Sequence, residues 1–143
     1  MSRRRRGFSL IELVVVVMII GILAAVAVPK LLNTSATTTE NGLRQSLAVV
    51  RDVIERYAAE NSGNLPGADG SEATLKVDLQ AYLRSPGIPK SPIGKRDAVV
   101  SVKTAGTPLV ADDSTGWMYD ATTGEFIVNS TGTDSAGTAF SAY

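Results

Sequence analysis

This 143-residue sequence predicts an α+β fold in which one long N-terminal α-helix, apolar in its first half, packs on a small C-terminal antiparallel β-sheet head. Three observations predict it. Residues 8–28 form an apolar run of 21 residues broken only by Glu12. Leu43, Leu47, Val50, Ile54 and Tyr57 then recur at spacings of 4, 3, 4 and 3, one stripe of an amphipathic helix. The last third consists of short, β-branched and aromatic segments separated by turn residues, which is strand composition.

At about 1.5 Å per residue, a helix over residues 8–28 covers roughly 31 Å, the hydrocarbon thickness of a bilayer. Arg3, Arg4, Arg5 and Arg6 precede it directly. Basic residues flanking a first apolar segment stay cytoplasmic, so the expected topology is a single inner-membrane pass with the C-terminal head outside. Glu12 is the anomaly within this run. A carboxylate inside a membrane helix costs about 2.5–3.5 kcal/mol on insertion scales and marks a partnered, functional position. No Lys, Arg or His lies between Phe8 and Val28 to neutralise it. Cleavage after Gly7 would create an α-ammonium on Phe8, which a neighbouring copy can present to Glu12. The buried charge then becomes a register device for stacking subunits.

Gly7 followed by Phe8, Ser9, Leu10, Ile11, Glu12 and Leu13 resembles the class III signal of type IV pilins and type II secretion pseudopilins. The resemblance implies a pilin-like fold. It also implies a membrane prepilin peptidase that cuts between Gly7 and Phe8 and N-methylates Phe8, with Glu12 pairing to the amine of the adjacent subunit. Gly21 and Pro29 fall where that family often carries a helix-loosening glycine and proline. The implied partners are other copies in a helical filament, the membrane, the peptidase, an assembly platform and minor (pseudo)pilins. Two other readings of the same stretch stand beside this one. Ala25-Val26-Ala27 has the A-x-A form of a signal-peptidase site, against which the length of the run and Glu12 count. A plain signal anchor explains the arginines but neither Glu12 nor Gly7.

The expected organisation is a leader at 1–7, an apolar transmembrane or filament-core helix at 8–29, its amphipathic continuation at 30–61, and an α/β head at 62–143. An interruption or bend is expected between Gly21 and Pro29, because proline lacks the N–H and crowds the preceding turn. Residues 33–39, NTSATTT, are poor helix formers and are expected to be loosened, with Thr37 and Glu40 spaced as a capping box to restart the helix. Residues 61–70, NSGNLPGADG, end it. A short helix over 71–84 follows, with Ser71 as cap and Leu75, Leu79, Tyr82 and Leu83 on one face. Pro86 stops it, and 85–95 read as an extended Pro-rich loop.

Within about 98–129, strands are expected at 99–103 and at 108–111. The second opens on Pro108 and so belongs at an edge. A hairpin is expected with 116–119 and 125–128 flanking 120–124, Gly124 taking the positive-φ position. Trp117 and Tyr119 share a face that covers the long helix. The tail from residue 130 is too polar and Gly-rich for a core of its own and is expected to be mobile unless Phe140 and Tyr143 anchor it.

Composition narrows the function. Cysteine and histidine are absent, which removes disulfides, thiolate chemistry and the commonest general base. The chain is not expected to be an enzyme. Removing residues 1–7 takes away four of the 14 basic residues and leaves 14 acidic ones, so the exported part has no nucleic-acid signature. No cofactor is expected, apart from a calcium ion that Asp112, Asp113 and Asp134 are placed in loops to hold. Major pseudopilins bind calcium in a C-terminal loop. Asn33-Thr34-Ser35 and Asn129-Ser130-Thr131 match glycosylation sequons. The expected function is a structural subunit of a type IV pilus-like filament, foremost a type II secretion pseudopilin. The alternatives are a major pilin of an adhesion or motility pilus and a membrane-tethered periplasmic binding module.

Overall fold

The computed structural model describes residues 8–84 and 87–143. The leader with Gly7 and the start of the Pro-rich loop at Ser85 and Pro86 lie outside the described residues. The chain divides into two units, Met1–Ala36 and Thr37–Tyr143. One helix, α1 (Leu10–Glu60, 51 residues), contributes to both.

Within the first unit α1 is uninterrupted. The expected interruption between Gly21 and Pro29 is not found, and neither is the loosened stretch at 33–39. Proline removes one N–H from the ladder, but helix growth is cooperative and intact turns on both sides hold the chain in register. Thr34 turns its side chain back on the helix, its Oγ1 donating to the Lys30 carbonyl at 2.9 Å. That bond lets a β-branched polar residue sit inside a helix with its hydroxyl satisfied. No restart cap is needed at Thr37. Glu40 instead accepts a hydrogen bond from the Ser135 N–H at 3.2 Å.

The second unit holds the core. Leu43, Leu47, Val50 and Ile54 are buried as their spacing predicts, joined by Val53, while Tyr57 is half-buried beside them. Burying each such aliphatic side chain is worth about 1.5–3 kcal/mol. Helix α1 closes in a Schellman-type turn: Ser62 takes the left-handed conformation (φ 59°) and the Gly63 N–H reaches the Ala58 carbonyl at 2.8 Å. Helix α2 (Glu72–Leu79) is capped by Ser71, whose Oγ accepts from the Ala73 N–H at 3.2 Å. It ends short of the expected residue 84. Tyr82 and Leu83 both donate their N–H to the Leu79 carbonyl, and the Tyr82 hydroxyl is drawn to Glu60 at 2.7 Å.

Three strands form one sheet in the order β1 (Val100–Lys103), β2 (Trp117–Asp120), β3 (Phe126–Val128). The hairpin β2–β3 is antiparallel, with Trp117 opposite Val128 and Tyr119 opposite Phe126. Gly124 closes it at φ 78°. Trp117 and Phe126 stack at 5.2 Å between ring centroids, and the indole N–H reaches the Pro89 carbonyl at 2.8 Å. Trp117 and Tyr119 are fully buried in the cluster that includes the α1 stripe.

The sheet is mixed rather than antiparallel, because β1 pairs with β2 in parallel, Val100 opposite Trp117. Parallel neighbours need a crossover of about a dozen residues, and the segment 104–116 supplies it. The expected strand at 108–111 is not formed. Pro108 has no N–H to give a ladder, and the neighbouring donors are taken by side chains: Leu109 N–H by Glu125 at 3.1 Å and Asp112 N–H by Asn129 at 2.7 Å.

The tail is docked, not mobile. Phe140 and Tyr143 pack against the core cluster, with a 3₁₀ turn over Phe140–Ala142. Three α1 side chains hold the tail. Glu40 takes the Ser135 N–H, and Arg44 lies over the Tyr143 ring at 4.3 Å. Arg51 donates to the Tyr143 carbonyl at 2.7 Å and to the Phe126 carbonyl at 2.8 and 3.0 Å. Polar residues off the apolar stripe therefore anchor a segment too polar to bury itself.

Candidate functional site

The first turn of α1 carries the residues singled out for assembly. Ser9 stands at the N-cap: its carbonyl accepts the Leu13 N–H at 3.3 Å, and its own N–H donates to Glu12 Oε2 at 2.9 Å. Glu12 at N3 reaching back to the N-cap amide is the carboxylate half of a capping box. The S-x-x-E spacing that announces it is legible in residues 9–12, but sequence reasoning sought a cation for Glu12 and overlooked the amide. One N–H uses one of roughly four lone-pair positions on the carboxylate. Among the described residues no Lys or Arg pairs with Glu12.

Phe8, Ile11, Val15 and Val16 line the same shallow recess as Glu12. The apolar side chains from Leu10 to Leu31, such as Ile19, Leu23 and Val28, are exposed. Gly21 has open space where a Cβ would stand, so among the described residues no other side chain packs there. Pro29 sits inside the helix. Helix α1 is long and apolar enough to cross a membrane by length and composition. Gly7, the other half of the expected cleavage site, lies outside the described residues.

The three loop aspartates are not gathered around a common point. Among the described residues no group of three or more His, Cys, Asp or Glu is placed to hold a metal. Asp112 Oδ1 accepts from the Ser114 N–H at 2.9 Å and from Asn129 Nδ2 at 2.7 Å. Hydrogen bonds from Ser114 and then Asn129 hold its carboxyl down at about 2. Asp113, in the left-handed region at φ 57°, accepts from both the hydroxyl and the N–H of Thr131, which lower its pKa. Asp134 accepts from the Tyr143 hydroxyl at 2.6 Å and from the N–H groups of Ala136 and Thr138, each at 2.8 Å. The Tyr143 bond is the main cause of its lowered pKa. Calcium takes six to eight oxygens. Here N–H and O–H donors already point at each carboxylate, and the residues as arranged do not fit that ion.

Asn129 went unremarked except as a sequon position. It is 0% exposed and bridges three residues of the crossover loop. As a buried side chain with its amide nitrogen engaged, it offers no glycan acceptor in the folded head.

Residues 2–28 match the family model described as the prokaryotic N-terminal methylation motif. The chain is similar to the type II secretion system core protein G of Dickeya chrysanthemi, 28% identical over 92 residues, covering 64% of this chain and 55% of the relative. It is 39% identical over 112 residues to the type IV major pilin protein PilA of Myxococcus xanthus, covering 78% of this chain and 50% of the relative. With the type IV wide pilus major component PilA4 of Thermus thermophilus it shares 29% identity over 121 residues, 85% of this chain and 83% of the relative. The chain spans about half the length of the first relatives it matches. No solved structure matches it. The N-terminal methylation motif and these relatives make the chain similar to type IV pilins and type II secretion pseudopilins, and its long helix leading to a small mixed sheet is the α+β layout expected from that similarity.

Proposed function

We propose that this chain is a structural subunit of a type IV pilus-like filament, serving as a pseudopilin of a type II secretion system. One observation carries the proposal. Among the described residues, 16 large apolar side chains from Phe8 to Leu31 are exposed. In the membrane lipid covers them; in a filament the same helices of other copies do. Between helices in an apolar surround, close packing and polar pairing set the register rather than bulk hydrophobicity. Glu12 supplies that pairing. Its capping bond to Ser9 fixes the carboxylate at the helix start, with lone pairs left for the amine of a neighbouring Phe8 after cleavage at Gly7. The head, residues 37–143, covers the outside, facing the periplasm before assembly.

Relatives named type II secretion core protein G in Dickeya, Klebsiella, Aeromonas and Vibrio favour the secretion role. The higher identity to the Myxococcus pilin, 39%, and the overlap of 121 residues with the Thermus pilus component favour the second reading, a major pilin. Deleting the gene separates them: lost exoprotein release with surface pili intact supports the secretion role, and the reverse supports the pilus.

The assembly role itself is tested by Glu12→Gln, which keeps an acceptor for the Ser9 amide and removes the charge. The expected result is loss of fibres by electron microscopy with normal membrane insertion. The intact mass of the membrane-extracted chain is expected to begin at Phe8 plus one methyl group. Abundant ordered fibres from Glu12→Gln overturn the pairing, and an intact start at Met1 supports a lone membrane-tethered module instead.

A further inference from the structure

We propose that the crossover loop of the head is locked by Asn129, whose side-chain amide acts in place of a metal ion, so that the head folds and holds its shape independently of divalent cations. The inference does not depend on the filament role. The loop at 104–116 makes the parallel pairing of β1 with β2 and, lacking a strand of its own, must be held by something other than a ladder.

Asn129 follows β3 directly and meets that need from one buried position. Its Oδ1 accepts the Asp112 N–H at 2.7 Å. Its Nδ2 donates to Asp112 Oδ1 at 2.7 Å, Thr115 Oγ1 at 3.0 Å and Ser114 Oγ at 3.2 Å. Its backbone N–H continues to the Gly116 carbonyl at 3.2 Å. A primary amide offers the acceptor and the N–H donor of a peptide group plus a second N–H, its two hydrogens shared here among three oxygens, so the loop pairs with a side chain where it does not pair with a strand. Two residues on, Thr131 repeats the device, its hydroxyl and N–H both engaging the Asp113 carboxylate.

The same groups explain why a cation is not required. A calcium ion organises a loop by drawing carboxylate and carbonyl oxygens around one positive centre. In this loop the positive ends of N–H and O–H dipoles already face the carboxylates of Asp112 and Asp113. An ion entering there has to displace Asn129 Nδ2, which has no exposed surface on which to find another partner. Aspartate in place of Asn129 would present a carboxylate to Asp112 where the donor now stands, a repulsion that a divalent cation or a shared proton would relieve.

The test uses the full chain in detergent, with thermal unfolding followed by the fluorescence of Trp117, the single tryptophan. The midpoint is expected to be the same within about 1 °C in millimolar EDTA and in millimolar calcium chloride. Asn129→Ala is expected to lower it by roughly 10 °C in both solutions, since several buried hydrogen bonds are lost together. Thr131→Val, a milder change at the second clamp, is expected to lower it by roughly 3–5 °C. Should Asn129→Ala not fold, Thr131→Val and the wild-type comparison still decide. Asn129→Asp is expected to become calcium-dependent. A calcium-induced rise of several degrees in the wild type, or an Asn129→Ala variant as stable as the wild type, overturns the proposal.

Discussion

The two halves of α1 share one backbone conformation and have opposite fates for their side chains. Up to Leu31 the apolar residues are exposed, whereas Leu43, Leu47, Val50 and Ile54 are buried against the sheet. Each half also carries one notable glutamate. Glu12 accepts from a residue three positions away and stays exposed, while Glu40, only 9% exposed, accepts from Ser135, 95 positions away. Among the described residues the hydrogen bonds of the first half are local, and its proposed completion comes from outside the chain. The second is completed by the chain itself. A helix that is apolar all round, as at 13–28, belongs in a core or a membrane.

Core truncation is expected to separate the halves most strongly. Leu47→Ala should destabilise the head by about 2–5 kcal/mol in urea titrations read by Trp117 fluorescence. Val15→Ala should leave that transition unchanged and impair only assembly. Equal effects from the two would break the distinction.

Next in size is Arg51→Ala, expected to cost about 2–4 kcal/mol because the Phe126 and Tyr143 carbonyls lose a charged donor. Proteolysis should then release the tail first. Lysine at this position should restore only part of the loss, since its single ammonium cannot reproduce the planar fork that serves both carbonyls.

The smallest effect expected is that of acid. Among the described residues the carboxylates with depressed pKa values lie beyond Thr37, namely Glu60, Asp69, Asp112, Asp113, Asp120 and Asp134. A depressed folded-state pKa stabilises above the unfolded value and is lost as pH falls through the folded one. For Asp112 that window runs from 3.8 down to about 2. The Trp117 transition should thus be flat near neutrality and fall across that window, with far-UV ellipticity from the first half of α1 persisting. Asp112→Asn should flatten part of the decline.

Features set by neighbours in sequence were legible before the structure. The stripe from Leu43 to Ile54, the Ser71 cap and the hairpin closing at Gly124 follow from periodicity and turn chemistry. The Ser9–Glu12 box is equally local, an S-x-x-E spacing whose carboxylate serves a backbone amide rather than a cation. Other features had no local signal. Arg44 and Arg51 look like solvated charges beside the stripe, yet they anchor a tail that begins some eighty residues later. Pro108 with its apolar neighbours resembles an edge strand until Glu125 and Asn129 take the adjacent N–H groups.

The sequence by itself determined where the chain is oily, where it is helical, and that Glu12 begins a helix whose first half needs company. These are consequences of residue type at short spacing. The parallel direction of β1, the docking of the tail and the burial of Asn129 were decided only in three dimensions. Each depends on which donors and acceptors, tens of residues apart, are left unpaired once the apolar core has closed.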